Sequence, residues 1–180
     1  MIGRTALRRR VPPTVSVLNL LVEGRDGAFR ELIGGLVRMA ENLIAVRKHL
    51  AKRLDLTGPQ FGVLFAIAQL QGNDGVKVSK VAEHVGVTGA FVTTEVGKLA
   101  RRGLVSKQAS VRDRRAVLLC LTDAGHDLIE RFAPDLRAIN DEIFGSLTRD
   151  EFATMRSVVR RLIAGEIRAL DRLGLARLGA

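Results

Sequence analysis

A chain of 180 residues suits one domain, or one compact unit with an appended arm, and its 47% hydrophobic content is enough for a real core. With 27% charged residues beside it, the composition excludes a wholly disordered or collagen-like chain. The 29 Lys and Arg outnumber the 19 Asp and Glu, a net charge of +10 that points to a polyanionic partner without identifying it.

The excess is local. Residues 1–10 carry four Arg and no acid, residues 98–115 carry seven Lys and Arg against Asp113, and elsewhere 18 basic residues meet 18 acidic ones. One cysteine, Cys120, excludes an internal disulfide framework and a Cys-based zinc knuckle, and predicts a reducing, cytoplasmic setting. The longest apolar run, residues 61–68, falls well short of the roughly 18 to 20 residues a membrane helix needs, so no membrane partner is expected. The basic run Arg8-Arg9-Arg10 before residues 11–22 has the outline of a signal peptide, but Pro12, Pro13 and Asn19 interrupt it and no A-x-A-like cleavage site follows. Residues 1–25 are therefore read as a basic arm.

From Phe29 to Leu54 apolar residues recur at three- and four-residue steps, predicting one long amphipathic helix. Thr57 and Gln60, with Pro59 between them, form the pattern of a capping box that opens a second helix running to about Leu70. Apolar almost all round, this helix should be the central buried one. The stretch Gln71-Gly72-Asn73-Asp74-Gly75 stops it. Ser79 is placed to cap a short helix ending at Val85, Gly86 to take the left-handed conformation, and Thr88 to cap a helix over 89–102. Residues 104–108 and 116–121 read as two strands of a hairpin around an Arg-rich tip. Thr122 and Asp123 start another helix that Pro134 is expected to interrupt. Thr148, with Glu151 three residues on, opens a last helix reaching about Leu173.

The segment from Ser79 to Arg102 has the packing pattern of a helix-turn-helix. Val81 and Ala82 face inward, Gly86 makes the turn, and Val92, Val96 and Leu99 recur on one face of the second helix. The opposite face, with Thr88, Gly89, Ala90, Thr93, Thr94 and Lys98, is small and polar and fits a major groove. Directly downstream, the tip Arg112-Asp113-Arg114-Arg115 can reach the adjacent minor groove or its phosphates, Asp113 pairing with Arg115 and leaving Arg112 or Arg114 free. Ser79 joins the recognition set at the start of the first helix of the motif. The competing reading from another class is a winged domain that turns its basic face on an acidic protein partner.

Five stretches, taken in order, carry a family resemblance: Leu56-Thr57-Gly58-Pro59-Gln60-Phe61; Val78 to Thr88; Leu99-Ala100-Arg101-Arg102-Gly103-Leu104-Val105; Asp113-Arg114-Arg115; and Leu119 to Gly125. Over about residues 29–172 the chain resembles the MarR family of transcriptional regulators. The resemblance implies a mainly α fold with a small β wing, a winged helix-turn-helix over 56–122. This is flanked by an N-terminal dimerisation helix over 26–55 and C-terminal dimerisation helices over 123–180. It further implies a cytoplasmic homodimer that binds a pseudo-palindromic operator in double-stranded DNA and usually represses, with Arg114 and Arg115 approaching the minor groove. Many such regulators answer to a small-molecule effector, often an aromatic anion; Arg47 and His49 are candidate contacts, although a solvated helix face accounts for them as well. Thr94 stands where such recognition helices are often basic, and Gly97 sits inside the helix. The Arg4, Arg8, Arg9 and Arg10 arm has no counterpart in the family pattern; contact with DNA, docking on the partner subunit and an upstream start all remain open for it.

No catalytic site is expected. His49, His84 and His126 stand in unrelated elements without metal-ligand spacing, and neither G-x-S-x-G nor a P-loop occurs, so no cofactor is assigned. Cys120, alternating with Leu119 and Leu121 on a strand, is read as structural.

Overall fold

In the computed structural model, which describes residues 11–109 and 117–175, the chain forms two units, residues 1–46 and 47–180. The first is organised around the carboxylate of Asp26. Val22 and Arg25 exchange both backbone hydrogen bonds at 2.9 Å across a two-residue turn, with Glu23 and Gly24 at φ of 50° and 69°. That is the left-handed pair a tight hairpin requires. Immediately beyond it begins α1 (Gly27–Arg53). Asp26 accepts hydrogen bonds from the Thr14 backbone N–H at 2.7 Å, the Thr14 hydroxyl at 2.9 Å and Arg30 Nε at 2.9 Å, while Arg30 Nη2 donates to the Pro12 carbonyl at 2.7 Å. These donors, the Thr14 N–H foremost and Arg30 next, hold the Asp26 carboxyl at a pKa of about 2. Part of the segment read as an arm is thus tied to the head of α1. Leu32, Ile33, Leu36, Val37 and Ile44 lie exposed along the helix.

The second unit starts in the last turns of α1, where Leu50 and Ala51 are buried. The helix ends in a Schellman motif: Asp55 takes φ 54°, its N–H meets the Lys52 carbonyl at 3.0 Å, and the Leu56 N–H returns to Ala51 at 2.9 Å. Next, α2 (Gly58–Leu70) opens on the expected capping box, Gln60 N donating to Thr57 Oγ1 at 3.3 Å and Thr57 N to Gln60 Oε1 at 2.9 Å. It is the central helix, burying Phe61, Val63, Leu64, Ala66 and Ile67.

Around it pack α3 (Val78–Val85) and α4 (Gly89–Arg101), with a three-stranded antiparallel sheet at their edge. The sheet corrects the expected two-stranded hairpin. Besides β2 (Val105–Ala109) and β3 (Val117–Leu121) it contains β1 (Val76–Lys77), paired as Val76 with Leu119, so that β3 is the middle strand. A two-residue strand carries no alternation for sequence to reveal. It also displaces Ser79 from its expected role: β1 leads straight into α3, extended Lys77 takes the cap position without a side-chain cap bond, and Ser79 lies inside the first turn. At the far end of α2, Gln71 Oε1 accepts the Leu121 N–H at 2.7 Å and fastens β3 to the helix.

Two helices complete the unit. The first, α5 (Asp123–Phe144), runs through Pro134 without a break, correcting the expected interruption. Pro134 and Glu130, whose carbonyl loses its usual donor, are both exposed, so water can serve that carbonyl. The start of α5 is pressed against the α4–β2 junction, since a Cβ on Gly125 would come within 2.2 Å of the Leu104 carbonyl oxygen. The last helix, α6 (Arg149–Leu173), opens on the expected Thr148–Glu151 capping box. Its Phe152, Val159, Leu162 and Ile163 are exposed. Among the described residues no helix is long and apolar enough to cross a membrane.

Candidate nucleic-acid interface

Only Gly86, Val87 and Thr88 separate α3 from α4. Gly86 takes φ 79°, which lets the Val87 N–H turn back to the Ala82 carbonyl at 3.0 Å. Thr88 Oγ1 then accepts from Phe91 N at 3.2 Å and starts α4. With Val92, Val96 and Leu99 wholly buried, the orientation of α4 is fixed and its other side faces outward.

That outer side holds what the sequence placed there. Gly89, Ala90, Thr93 and Thr94 are exposed, and Thr88 is half-buried at the head of the same face. The Thr93 hydroxyl donates to the Gly89 carbonyl at 2.8 Å and the Thr94 hydroxyl to the Ala90 carbonyl at 3.1 Å. Their protons are used within the helix, so each threonine presents an acceptor oxygen and a methyl group. An acceptor suits the exocyclic amino group of adenine or cytosine, and a methyl suits thymine. The small residues at the N-terminus of α4 allow close approach to backbone N–H groups that favour anions. Ser79 is exposed in the first turn of α3, and that turn lies beside the start of α4, where a Cβ on Gly89 would stand 3.9 Å from Val78 Cγ1.

The basic residues divide into engaged and exposed. Lys98 Nζ donates to Glu95 Oε1 at 2.7 Å, an i,i+3 pair within α4. Arg102 turns away from the outer face: its guanidinium donates to the carbonyls of Asp55 and, at 3.3 Å, Leu54, with the Asp55 carboxylate 3.5 Å away. Arg101 and Lys107 are exposed. Arg112, Asp113, Arg114 and Arg115 lie outside the described residues, as do Arg4 and Arg8 to Arg10. The sequence reading missed both engaged cations. Signals for the first were present: Glu95 is in phase with Val92, Val96 and Leu99, and Lys98 stands one helical step beyond it. Nothing local could have shown that Arg102 reaches back 47 residues to Asp55.

Other candidates are dispersed. Lys80 pairs with Glu83 at 2.9 Å and holds that carboxyl below its ordinary pKa, while His84, Arg47 and His49 are exposed. Cys120 is half-buried on β3, its Sγ facing Gly75, where an added Cβ would come within 2.6 Å. Among the described residues no group of His, Cys, Asp and Glu could hold a metal ion.

A helix-turn-helix followed by an antiparallel pair of strands, braced by a third strand from the segment before it, defines a winged helix-turn-helix protein. Residues 54–116 match the model of the MarR family. The HTH-type transcriptional regulator YwaE of Bacillus subtilis is 24% identical over 158 residues, 87% of this chain and 91% of that protein. The HTH-type transcriptional repressor MdtR of Bacillus subtilis is 26% identical over 117 residues, 65% of this chain and 76% of that protein. Among solved structures, BpsR of Bordetella bronchiseptica, whose DNA binding is regulated by 6-hydroxynicotinic acid, is 27% identical with a TM-score of 0.57, covering 72% of this chain and 91% of that one. Over its winged helix-turn-helix the chain is similar to the MarR family, and along most of its length to HTH-type transcriptional regulators. These relatives are regulators of transcription rather than enzymes.

Proposed function

We propose that this protein is a sequence-specific, double-stranded DNA-binding repressor that acts in the cytoplasm as a homodimer on a pseudo-palindromic operator and is relieved by a small-molecule ligand. The observation that carries the reading is the outer face of α4. Thr88, Gly89, Ala90, Thr93 and Thr94 form a small, polar, acceptor-rich surface on a helix held firmly from behind by Val92, Val96 and Leu99. In this reading Ser79 extends that surface toward phosphates, Lys98 closes its far end paired with Glu95, and Arg112, Arg114 and Arg115, with Asp113 orienting Arg115, form a basic wing tip. The relatives support it, one being a repressor and another having its DNA binding regulated by an aromatic acid. Two apolar stripes, Leu32 to Ile44 on α1 and Phe152 to Ile163 on α6, support the dimer, since apolar side chains exposed along a helix favour association.

Selection of bound sites from a random duplex pool tests the reading. Enrichment of a palindrome with half-site centres about one helical turn apart is expected. The selected duplex should bind tighter than random duplex by about 10³-fold or more, with steep loss of affinity as salt rises. Failure to enrich any site, with only salt-insensitive binding, would overturn it.

A further inference from the structure

The inner stripe of α4 contains one residue that packing does not call for. Val92, Val96 and Leu99 have no exposed surface, and between them Glu95 retains 5%. Its Oε1 accepts the Lys98 ammonium at 2.7 Å; its Oε2 is buried and, among the described residues, has no hydrogen-bond partner. A buried carboxylate with an unmet oxygen is costly, and an apolar side chain would complete the stripe without that cost. What Glu95 supplies that a leucine would not is a fixed negative charge for Lys98.

Placement gives that charge an effect. Lys98 sits in the last turn of α4, at the end of the outward face, with 42% of its side chain exposed. A lysine there can extend to any phosphate, whatever the sequence of the duplex, because phosphate contacts carry no base information. Held 2.7 Å from a buried oxygen, its ammonium is drawn back against the helix and its charge is matched.

We propose that Glu95 is a specificity-determining residue: an intramolecular counter-ion that withholds Lys98 from the phosphate backbone and so keeps indiscriminate duplex binding weak. The inference rests on the DNA-binding reading above. On a cognate site the base-reading face of α4 determines affinity. On any other duplex the leading attraction is charge, and Glu95 reduces it by one cation per protomer.

The test compares the full chain with Glu95→Gln, Glu95→Leu, Lys98→Ala and the Glu95→Gln/Lys98→Ala double variant, each titrated with random-sequence duplex over a range of salt. Glu95→Leu completes the apolar stripe and guards against a poorly folded Glu95→Gln. Both Glu95 variants should bind random duplex more tightly at low salt, with the slope of log K against log salt steeper by about 0.9 per protomer. The double variant, which has neither charge, should return to the wild-type slope. The ratio of selected-site to random-duplex affinity should fall in both Glu95 variants. Unchanged slopes in both Glu95 variants, or a flattening of the salt slope by about 0.9 per protomer in Lys98→Ala itself, would overturn the proposal while leaving the DNA-binding reading intact. Absence of duplex binding by the wild-type chain would overturn both.

Discussion

The guanidinium of Arg102, one residue beyond α4, is hydrogen-bonded to the carbonyl of Asp55, one residue beyond the cap of α1. Two helix ends far apart in sequence are thereby joined, and Asp55 is held at a positive φ without being glycine. A residue counted by charge as part of a DNA-facing cluster thus serves the fold.

Arg102→Ala should therefore lower stability on the order of 1 kcal/mol, because two carbonyls at the end of α1 lose a charged donor that is itself partly exposed. The salt dependence of duplex binding should stay as in the wild type. Thermal unfolding and salt titration measure the two effects, and a flattened salt slope would place Arg102 on DNA.

Arg114→Ala with Arg115→Ala should do the opposite. Loss of two wing cations per protomer should weaken duplex binding broadly and flatten the salt slope by nearly two per protomer, with the melting temperature little changed. Unchanged affinity would remove the wing tip from the interface.

Gly97 and Gly125 make a contrasting pair. A Cβ on Gly97 meets nothing within 4 Å, and the position lies inside α4, so Gly97→Ala should stabilise the protein by about 0.5–1 kcal/mol. A Cβ on Gly125 would stand 2.2 Å from the Leu104 carbonyl oxygen, so Gly125→Ala must push α5 from the α4–β2 junction and destabilise. Denaturant melts of both variants check the signs.

The Asp26 clamp gives a pH signature. Its pKa is lowered from 3.8 to about 2, so its contribution is present above 3.8 and lost as pH falls through about 2. Asp26→Asn should reduce protection of the Thr14 amide from hydrogen exchange at neutral pH, and the difference from wild type should vanish at the acid end of that window. Equal protection at neutral pH would show that the clamp does not hold residues 12–14.

What the sequence disclosed and what it hid follow one physical division. Thr57 with Gln60, Thr148 with Glu151, and Gly86 act within a few residues of themselves, so their helix boundaries could be read directly. The outer face of α4 followed from periodicity, because Val92, Val96 and Leu99 leave one side for Thr93 and Thr94. Three features escaped because their causes lie far along the chain or outside any periodic pattern. Val76 is a strand residue only because Leu119 is there to pair with it. Arg102 is one more cation of the 98–115 run until Asp55 is beside it. Pro134 reads as a break because sequence does not show which side of α5 faces water.

The position of β3 has a mechanical consequence. One edge of this strand holds β1, which runs directly into α3, and the other holds β2, which leaves the end of α4. A hairpin attached at one corner could swing independently of the helices beside it. Here α3 starts from one flank of β3 and α4 leads to the other, so any displacement of that one strand is imposed on both helices of the motif together.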